Sequence, residues 1–282
     1  MAEQVDLLSA ECWAAGAVGI EEREDGAGCM LLVYAQAARA QEVEQAARES
    51  LGARESSGEE GRVEPPEPVE SGDWSERWKE GLAAVVVSPR LVVRPSFVEI
   101  TPEPGRLELV IDPKQAFGTG GHASTLLALE WVDVLADELP ASSRVLDIGT
   151  GTGVLALAAL RLGAGEAVAF DIDPIAVCEA REWAELNELA ERLRLFAGPL
   201  DALAAADFDL VVANLLRREL LPLAADVAGR LTARGSLVLS GLLAEEQGEI
   251  EAAFGGVGLR CAGARFAEDG GEQWVSLCMR RS

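Results

Sequence analysis

The residues best suited to chemistry lie in a glycine-rich loop that follows a short apolar stretch. Residues 145–148 read VLDI and run into Gly149, Gly151 and Gly153, after which an apolar helical sequence begins. Glycines at such a junction permit a tight turn and let a ligand approach the backbone closely. Asp171 ends the next predicted strand, where doubly wound folds place a carboxylate near ribose hydroxyls. This arrangement predicts a site for a nucleoside-bearing cofactor.

Spacing and charge distinguish two cofactor classes that share this layout. The dinucleotide fingerprint is G-x-G-x-x-G, whereas this loop reads G-x-G-x-G and has Val154 at the sixth position. A pyrophosphate needs positive potential, and a carboxylate from Asp147, which we expect at the mouth of this loop, would repel it. S-adenosylmethionine carries no phosphate, and its sulfonium and α-ammonium groups favour a nearby carboxylate, so we favour it over NAD. The residues expected to hold it are Asp147, Gly149, Gly151, Gly153 and Asp171.

Two further segments place polar side chains near the same predicted edge of the sheet. Residues 112–125 read DPKQAFGTGGHAST and have no regular pattern, so we expect a loop that leads into a helix. Asn214 ends the strand-like segment DLVVAN at 209–214. Ligands of such sheets lie outside the carboxyl ends of the strands, so we expect Asn214 to face the reactive end of the cofactor. Its alternative role is to cap the following helix.

Composition narrows the class of partner. The chain has 48 acidic and 24 basic residues, a net charge of −24, which disfavours nucleic acid and favours a basic protein partner. Five scattered cysteines and a single histidine, His122, argue against a disulfide framework and against a metal site. Because the sequence has neither a long apolar run nor a secretory pattern at its start, we expect a cytoplasmic protein without membrane contact.

The order of predicted elements divides the chain into three parts. Residues 1–62 read as a small α+β unit, and residues 63–90 as a linker that includes a linker helix, DWSERWKEGL. Residues 91–282 begin with two strands, RLVVRP and RLELVI, that flank a turn at 102–105. From residue 143 onward strands alternate with helices, which predicts a parallel sheet covered on both faces. The last two strands predict an antiparallel edge.

Taken together, these motifs resemble the ribosomal protein L11 methyltransferase family. That family has D-P-x-x-A-F-G-T-G-x-H-x-T-T before its first core strand and D-x-G-x-G-S-G-I-L-A as its glycine loop. This chain has DPKQAFGTGGHAST and DIGTGTGVLA, and AFDIDP, ANLL and SGLLAEEQ also match, so the resemblance spans about residues 73–282. It implies an α/β fold of the class I methyltransferase type, with a doubly wound, mostly parallel seven-stranded sheet that has an antiparallel edge strand. It also implies a small N-terminal α+β domain that recognises the substrate.

The resemblance further implies transfer of methyl groups from S-adenosylmethionine to amino groups of a basic protein, ribosomal protein L11. Family cofactor-binding positions fall on Thr125, Gly149, Asp171 and Asn214. For the transfer itself, we expect the Asn214 side-chain oxygen and the Leu215 carbonyl to orient the amine. Phe117 would offer its ring face to a cation. We expect His122 to hydrogen-bond within the loop, and its alternative role is to accept a proton.

Departures from the family patterns leave other functions open. Gly121 and Ala123 replace residues that are usually threonine and proline, and Arg217-Arg218 follow ANLL, where small residues are common. One alternative is a lysine methyltransferase of another protein. The others are an NAD-dependent oxidoreductase and an inactive binding protein on the same fold. A nucleic-acid methyltransferase is disfavoured by the charge and by the absence of an N-P-P-aromatic motif.

Overall fold

The computed structural model describes residues 8–9, 11–24, 29–52, 62–67, 82–101, 103–112, 121–204 and 206–282. The chain divides into two compact units, Met1–Glu80 and Gly81–Ser282. Among the described residues, no helix has the length and apolar character needed to cross a membrane. The linker helix expected at 73–82 lies almost entirely outside the described residues.

The first unit contains a two-stranded antiparallel sheet and a helix. The elements are β1 (Ala17–Glu24), β2 (Cys29–Ala35) and α1 (Ala40–Gly52). Cys12, Ala17 and Val43 form its small buried core. The sequence indicated β2 and α1 but not β1, because the second half of β1 reads EERE and lacks an apolar alternation.

The second unit begins with a three-stranded sheet. Its strands are β3 (Val85–Ser88), β4 (Leu91–Arg94) and β5 (Leu107–Val110). The two predicted strands, β4 and β5, flank the expected turn, yet they lie parallel to each other, and β3 pairs antiparallel with β4. The strand β3 falls within residues 63–90, which the sequence assigned to the linker, so the end of that segment is part of the second unit's folded structure.

The seven-stranded sheet of the second unit confirms the predicted fold class. Its strands are β6 (Arg144–Ile148), β7 (Glu166–Asp171), β8 (Leu193–Ala197), β9 (Phe208–Asn214), β10 (Leu231–Leu243), β11 (Leu259–Asp269) and β12 (Glu272–Arg281). Their spatial order is β8-β7-β6-β9-β10-β12-β11. The only antiparallel strand, β12, lies between β10 and β11. The edge strand is therefore β11, which runs in the same direction as the five parallel strands.

Helices cover both faces of this sheet and complete two buried layers. They are α2 (Ala123–Ala136), α3 (Val154–Arg161), α4 (Pro174–Leu186), α5 (Arg217–Gly229) and α6 (Gln247–Gly256). Successive residues of β6 point to opposite layers: Val145 packs with α2, α3 and α4, whereas Leu146 packs with α5 and α6. Full burial of one such side chain contributes about 1.5–3 kcal/mol, so the continuous apolar strands hold the sheet between its helices.

Strand register brings the polar strand ends to one edge of the sheet. Ile148 lies level with Phe170 on one side and with Ala213 on the other, and Asn214 lies level with Ser240. The loops that follow β6, β7, β9 and β10 therefore leave the sheet side by side. The chain adds strands to one side of β6 and then to the other, so this edge is also the switch point at which ligands bind.

Candidate active site

The glycine loop after β6 is shaped by close contacts that only glycine permits. Gly149, Gly151 and Gly153 have φ angles of 68°, 54° and 83°, in the left-handed region that favours glycine. The amides of Gly149 and Thr150 donate to the carbonyl of Phe170 at 3.0 and 2.9 Å. A Cβ atom on Gly149 would lie 2.5 Å from Cδ2 of Leu215. The loop backbone is therefore held against the segment that follows β9.

Asp147 is buried under this loop and does not lie at its mouth, where the sequence led us to expect it. It has no solvent exposure, and its Oδ2 accepts hydrogen bonds from the Thr150 hydroxyl (2.7 Å) and the Ala156 amide (3.2 Å). Its Oδ1 is also buried and has no hydrogen-bond partner among the described residues. Burial raises the pKa of Asp147 from 3.8 to about 6, although the two hydrogen bonds oppose the shift. Asp147 thus ties the loop to the start of α3.

Asp171, at the end of β7, adjoins the glycine loop as expected. One carboxylate oxygen accepts from the amide of Gly151 at 2.9 Å, and the other accepts from the amide of Asp173 at 3.0 Å. Each oxygen keeps a lone pair for a further donor. The next residue, Ile172, is 81 % exposed, which is unusual for a large apolar side chain. A carboxylate and an apolar surface therefore lie side by side at this edge.

The structure joins Asn214 to Thr125, two residues that the sequence separates widely. The Asn214 amide donates from Nδ2 to Oγ1 of Thr125 at 3.1 Å, and Thr125 is almost fully buried in the first turn of α2. Because Nδ2 is the donor in this contact, the acceptor oxygen Oδ1 is turned away from Thr125. The alternative role proposed for Asn214 is wrong, since the residue that caps α5 is Leu216.

Ser240 and Gly241, which sequence reasoning did not assign to the site, fix the segment around Asn214. The Ser240 hydroxyl donates to the carbonyl of Ser124 at 2.7 Å, and the Ser240 carbonyl accepts from the Leu215 amide at 3.1 Å. A Cβ on Gly241 would lie 2.7 Å from the Leu215 carbonyl oxygen and 2.9 Å from Oδ1 of Asn214. The SGLL motif was the signal that could have found these two residues.

His122 holds the start of α2. Its Nδ1 accepts from the Ser124 amide at 3.2 Å, and its ring packs edge-on against Trp274 with centroids 4.7 Å apart. These contacts favour the expected structural role of His122 over a proton transfer. Phe117, with the rest of 113–120, lies outside the described residues. No group of three or more His, Cys, Asp or Glu side chains in the described part of the chain could hold a metal ion.

A cleft of about 210 Å³ opens next to Asn214. Its apolar lining includes Leu216, Gly241 and Trp274, and its charged lining includes Arg218 and Glu272. The cleft adjoins Asn214 because Gly241 packs directly on Oδ1 of that residue. Gly241 is therefore the lining residue that connects the cleft to Asn214 and to the Leu215 carbonyl.

The fold and the arrangement of this edge define a class I methyltransferase. A glycine loop follows the first strand of the doubly wound sheet, an acid ends the second, and a polar residue with free acceptor capacity ends the fourth. The family model described as ribosomal protein L11 methyltransferase (PrmA) matches residues 17–282. The chain therefore belongs to the ribosomal protein L11 methyltransferase family. This membership favours methyl transfer and excludes the oxidoreductase alternative.

Individual relatives agree with this assignment. The chain is 42 % identical over 217 residues to a ribosomal protein L11 methyltransferase of Pelobacter propionicus, which covers 76 % of this chain and 68 % of that protein. The corresponding protein of Symbiobacterium thermophilum is 41 % identical, over 74 % of this chain and 66 % of its own length. The chain thus spans about two thirds of these relatives. A ribosomal protein L11 methylase crystal structure from Lactobacillus delbrueckii subsp. bulgaricus has a TM-score of 0.62 and 29 % identity, and covers 71 % of this chain and 98 % of its own.

Proposed function

We propose that this chain transfers methyl groups from S-adenosylmethionine to amino groups of ribosomal protein L11. The observation that carries the proposal is the placement of Asn214, which Thr125 orients at the edge that also holds the glycine loop and the cleft. Relatives named for methylation of ribosomal protein L11 support this choice of substrate. A different lysine-bearing protein is the alternative substrate.

The residues present fit S-adenosylmethionine, whose sulfonium supplies an activated methyl group. The loop 149–153 lets a ligand lie against its backbone, and Asp171 retains lone pairs for hydroxyl donors. Exposed Ile172 offers an apolar surface to a nucleobase. The unpartnered buried Oδ1 of Asp147 supplies negative potential under the loop, which favours a cationic ligand and opposes a pyrophosphate.

Amine positioning is the task that we assign to Asn214 and Leu215. A lysine amine has a pKa near 10.4, so it must lose a proton before it can attack a methyl group. An apolar cleft lowers that pKa by penalising the charged form. The Asn214 Oδ1 and the Leu215 carbonyl can then accept the remaining N–H groups and direct the lone pair. Because the methyl group is already activated, alignment is the main catalytic contribution. We assign Phe117 a cation contact at the same site.

Substrate recognition is assigned to residues 1–62, with residues 63–80 as the connection to the second unit, to which β3 belongs. The net charge of −24 favours encounter with a basic protein and disfavours nucleic acid, so we propose a protein partner in the cytoplasm and no membrane partner. Electrostatic attraction of this kind speeds association and weakens as the salt concentration rises.

Methyl transfer into recombinant ribosomal protein L11 tests the proposal directly. The full chain is incubated with tritiated S-adenosylmethionine and the substrate, and mass spectrometry then locates the methylated amines. We expect labelled L11, and we expect the Asp171→Ala variant to lose cofactor affinity measured by calorimetry. The same reaction in a lysate provides the contrast: if L11 stays unlabelled while another protein is methylated, the substrate assignment is wrong. Binding of NAD without binding of S-adenosylmethionine would overturn the cofactor assignment.

A further inference from the structure

The cleft next to Asn214 carries separated charges that methyl transfer itself does not use. Arg218 and Glu272 both line it, and both are exposed. Within the described ranges, neither side chain forms a hydrogen bond or an ion pair. Arg217 and Glu246 also line the cleft but are paired with each other, so its described lining presents one available cation and one available anion beside apolar Trp274.

Arg217, the residue before Arg218, has the ion pairs that are typical of a structural arginine. Arg217 is bound by two carboxylates, Glu246 at 2.9 Å and Glu249 at 2.6 Å, so it links the start of α5 to the start of α6. Arg218 has no such pair. It also lies in the first turn of α5, where the helix dipole is positive and a cation is unfavourable. Neither ion pairing nor helix stability accounts for Arg218.

We propose that Arg218 is a specificity-determining residue that binds a carboxylate of the substrate close to the target amine. The inference rests on the proposed function, because it requires a protein substrate whose amine enters the cleft. In a protein chain, the carboxylates available near a lysine are those of neighbouring Asp and Glu side chains. A guanidinium offers them a planar pair of donors. Glu272, which also lines the cleft, adds a negative charge that attracts the incoming ammonium.

The overall charge of the enzyme makes this contact selective. A surface of net charge −24 repels an acidic segment of a substrate, so a lysine beside a carboxylate would otherwise be disfavoured. An unpaired arginine in the lining of the cleft offsets that repulsion locally. The enzyme is thus expected to prefer lysines that have an acidic neighbour within an otherwise basic protein.

The test compares full-length L11 variants that differ beside one lysine. Mass spectrometry with the wild-type enzyme first identifies a methylated lysine, and its two neighbours are then changed to Glu, Gln or Lys. Circular dichroism checks that each substrate folds. We expect the wild-type kcat/KM to be about fivefold higher for the Glu-flanked than for the Gln-flanked lysine, the size of an exposed ion pair. The Arg218→Gln enzyme is expected to lose this preference, and Arg218→Glu to favour Lys neighbours.

A matched control and the opposing outcomes complete the design. Arg260, in β11 at the opposite end of the sheet, is also exposed and without a described partner, so Arg260→Gln makes the same charge change away from the cleft. It is expected to keep both the rate and the preference. Equal rates for Glu-flanked and Gln-flanked lysines, or a preference that survives Arg218→Gln, would overturn the role of Arg218. Absence of methylation on every L11 variant would instead contradict the proposed function.

Discussion

The buried carboxyl of Asp147 makes the stability of the second unit depend on pH in an unusual direction. Burial raises its pKa to about 6 in the folded chain, from an ordinary value of 3.8. Below both values the group is protonated in the folded and the unfolded chain. Between them the folded chain keeps a proton that the unfolded chain has lost, so stability falls as the pH rises. Above about pH 6 the carboxylate is ionised in both states, and the folded state then bears the full free-energy cost of the buried charge.

The magnitude follows from the difference between the two pKa values. A shift of one unit corresponds to 1.36 kcal/mol, so ionised Asp147 costs the folded state about 3 kcal/mol at high pH. Most of that cost develops between pH 4 and pH 6. Integrating the proton linkage from pH 5 to pH 7.5 gives a loss of about 1.4 kcal/mol from this one group.

The Asp147→Asn variant isolates this contribution. An asparagine is isosteric, its oxygen can accept the hydrogen bonds from Thr150 and Ala156, and it does not ionise. Urea denaturation followed by circular dichroism, without cofactor, gives the free energy of unfolding of both proteins at pH 5 and pH 7.5. We expect the free energy of unfolding of the variant, relative to that of the wild type, to be about 1.4 kcal/mol higher at pH 7.5 than at pH 5. The contributions of the other titrating groups to the pH dependence are the same in both proteins and cancel in the comparison.

A pH-independent difference between the two proteins would refute the reasoning, because the shifted ionisation of Asp147 would then be absent. A difference that moves in the opposite direction would mean that the folded environment favours the carboxylate. Cofactor binding offers a further check. A cationic ligand favours ionised Asp147, so binding near pH 6 should release up to about half a proton. Calorimetry in buffers of different ionisation enthalpy detects that release, and the Asn variant should lack it.

Three other predictions address the site and the domain organisation. Thr125→Val removes the acceptor for Asn214 and should lower kcat about tenfold, a larger loss than the loss of cofactor affinity measured as Kd; equal losses in both would contradict a positioning role. Gly149→Ala places a Cβ 2.5 Å from Leu215 at a positive φ and should cost about 2–4 kcal/mol in urea denaturation. Adding Leu215→Ala should recover part of the lost stability, and no recovery would argue against a steric clash between the new Cβ and Leu215. Removal of Met1–Glu80 should abolish methylation of L11 and spare cofactor binding in calorimetry; a truncated enzyme that still methylates L11 would disprove the recognition role.

The sequence predicts the elements of this site because each has a local cause. Three glycines at a strand–helix junction are required by positive φ angles, which other residues adopt only with strain. Apolar strands that alternate with helices can bury both of their faces only in a covered parallel sheet. The strand ends at Asp171 and Asn214 follow from the same pattern. These local causes account for the fold class and for most of the residues expected at the cofactor edge.

Pairings between distant segments were not predictable in this way. Both β4 and β5 were expected, but their parallel arrangement depends on the register of Leu91 with Leu107, and the strand β3 beside them was missed. The final strand pair was also expected, yet the position of β12 inside the sheet depends on its pairing with β10. Periodicity reports which face of a strand is buried and carries no information on which strand lies beside it.

The sequence by itself determined that a glycine loop, an acid and a polar strand end would meet at one edge of a doubly wound sheet, because these features follow from local backbone geometry and periodic burial. Only the tertiary structure decided what each of them does there. Burial beneath the loop gives Asp147 its raised pKa, and contact with α2 orients Asn214 through Thr125. Gly241, which packs against Asn214, also lines the cleft together with Arg218. Each of these outcomes depends on contacts between segments far apart in the chain, which close packing creates.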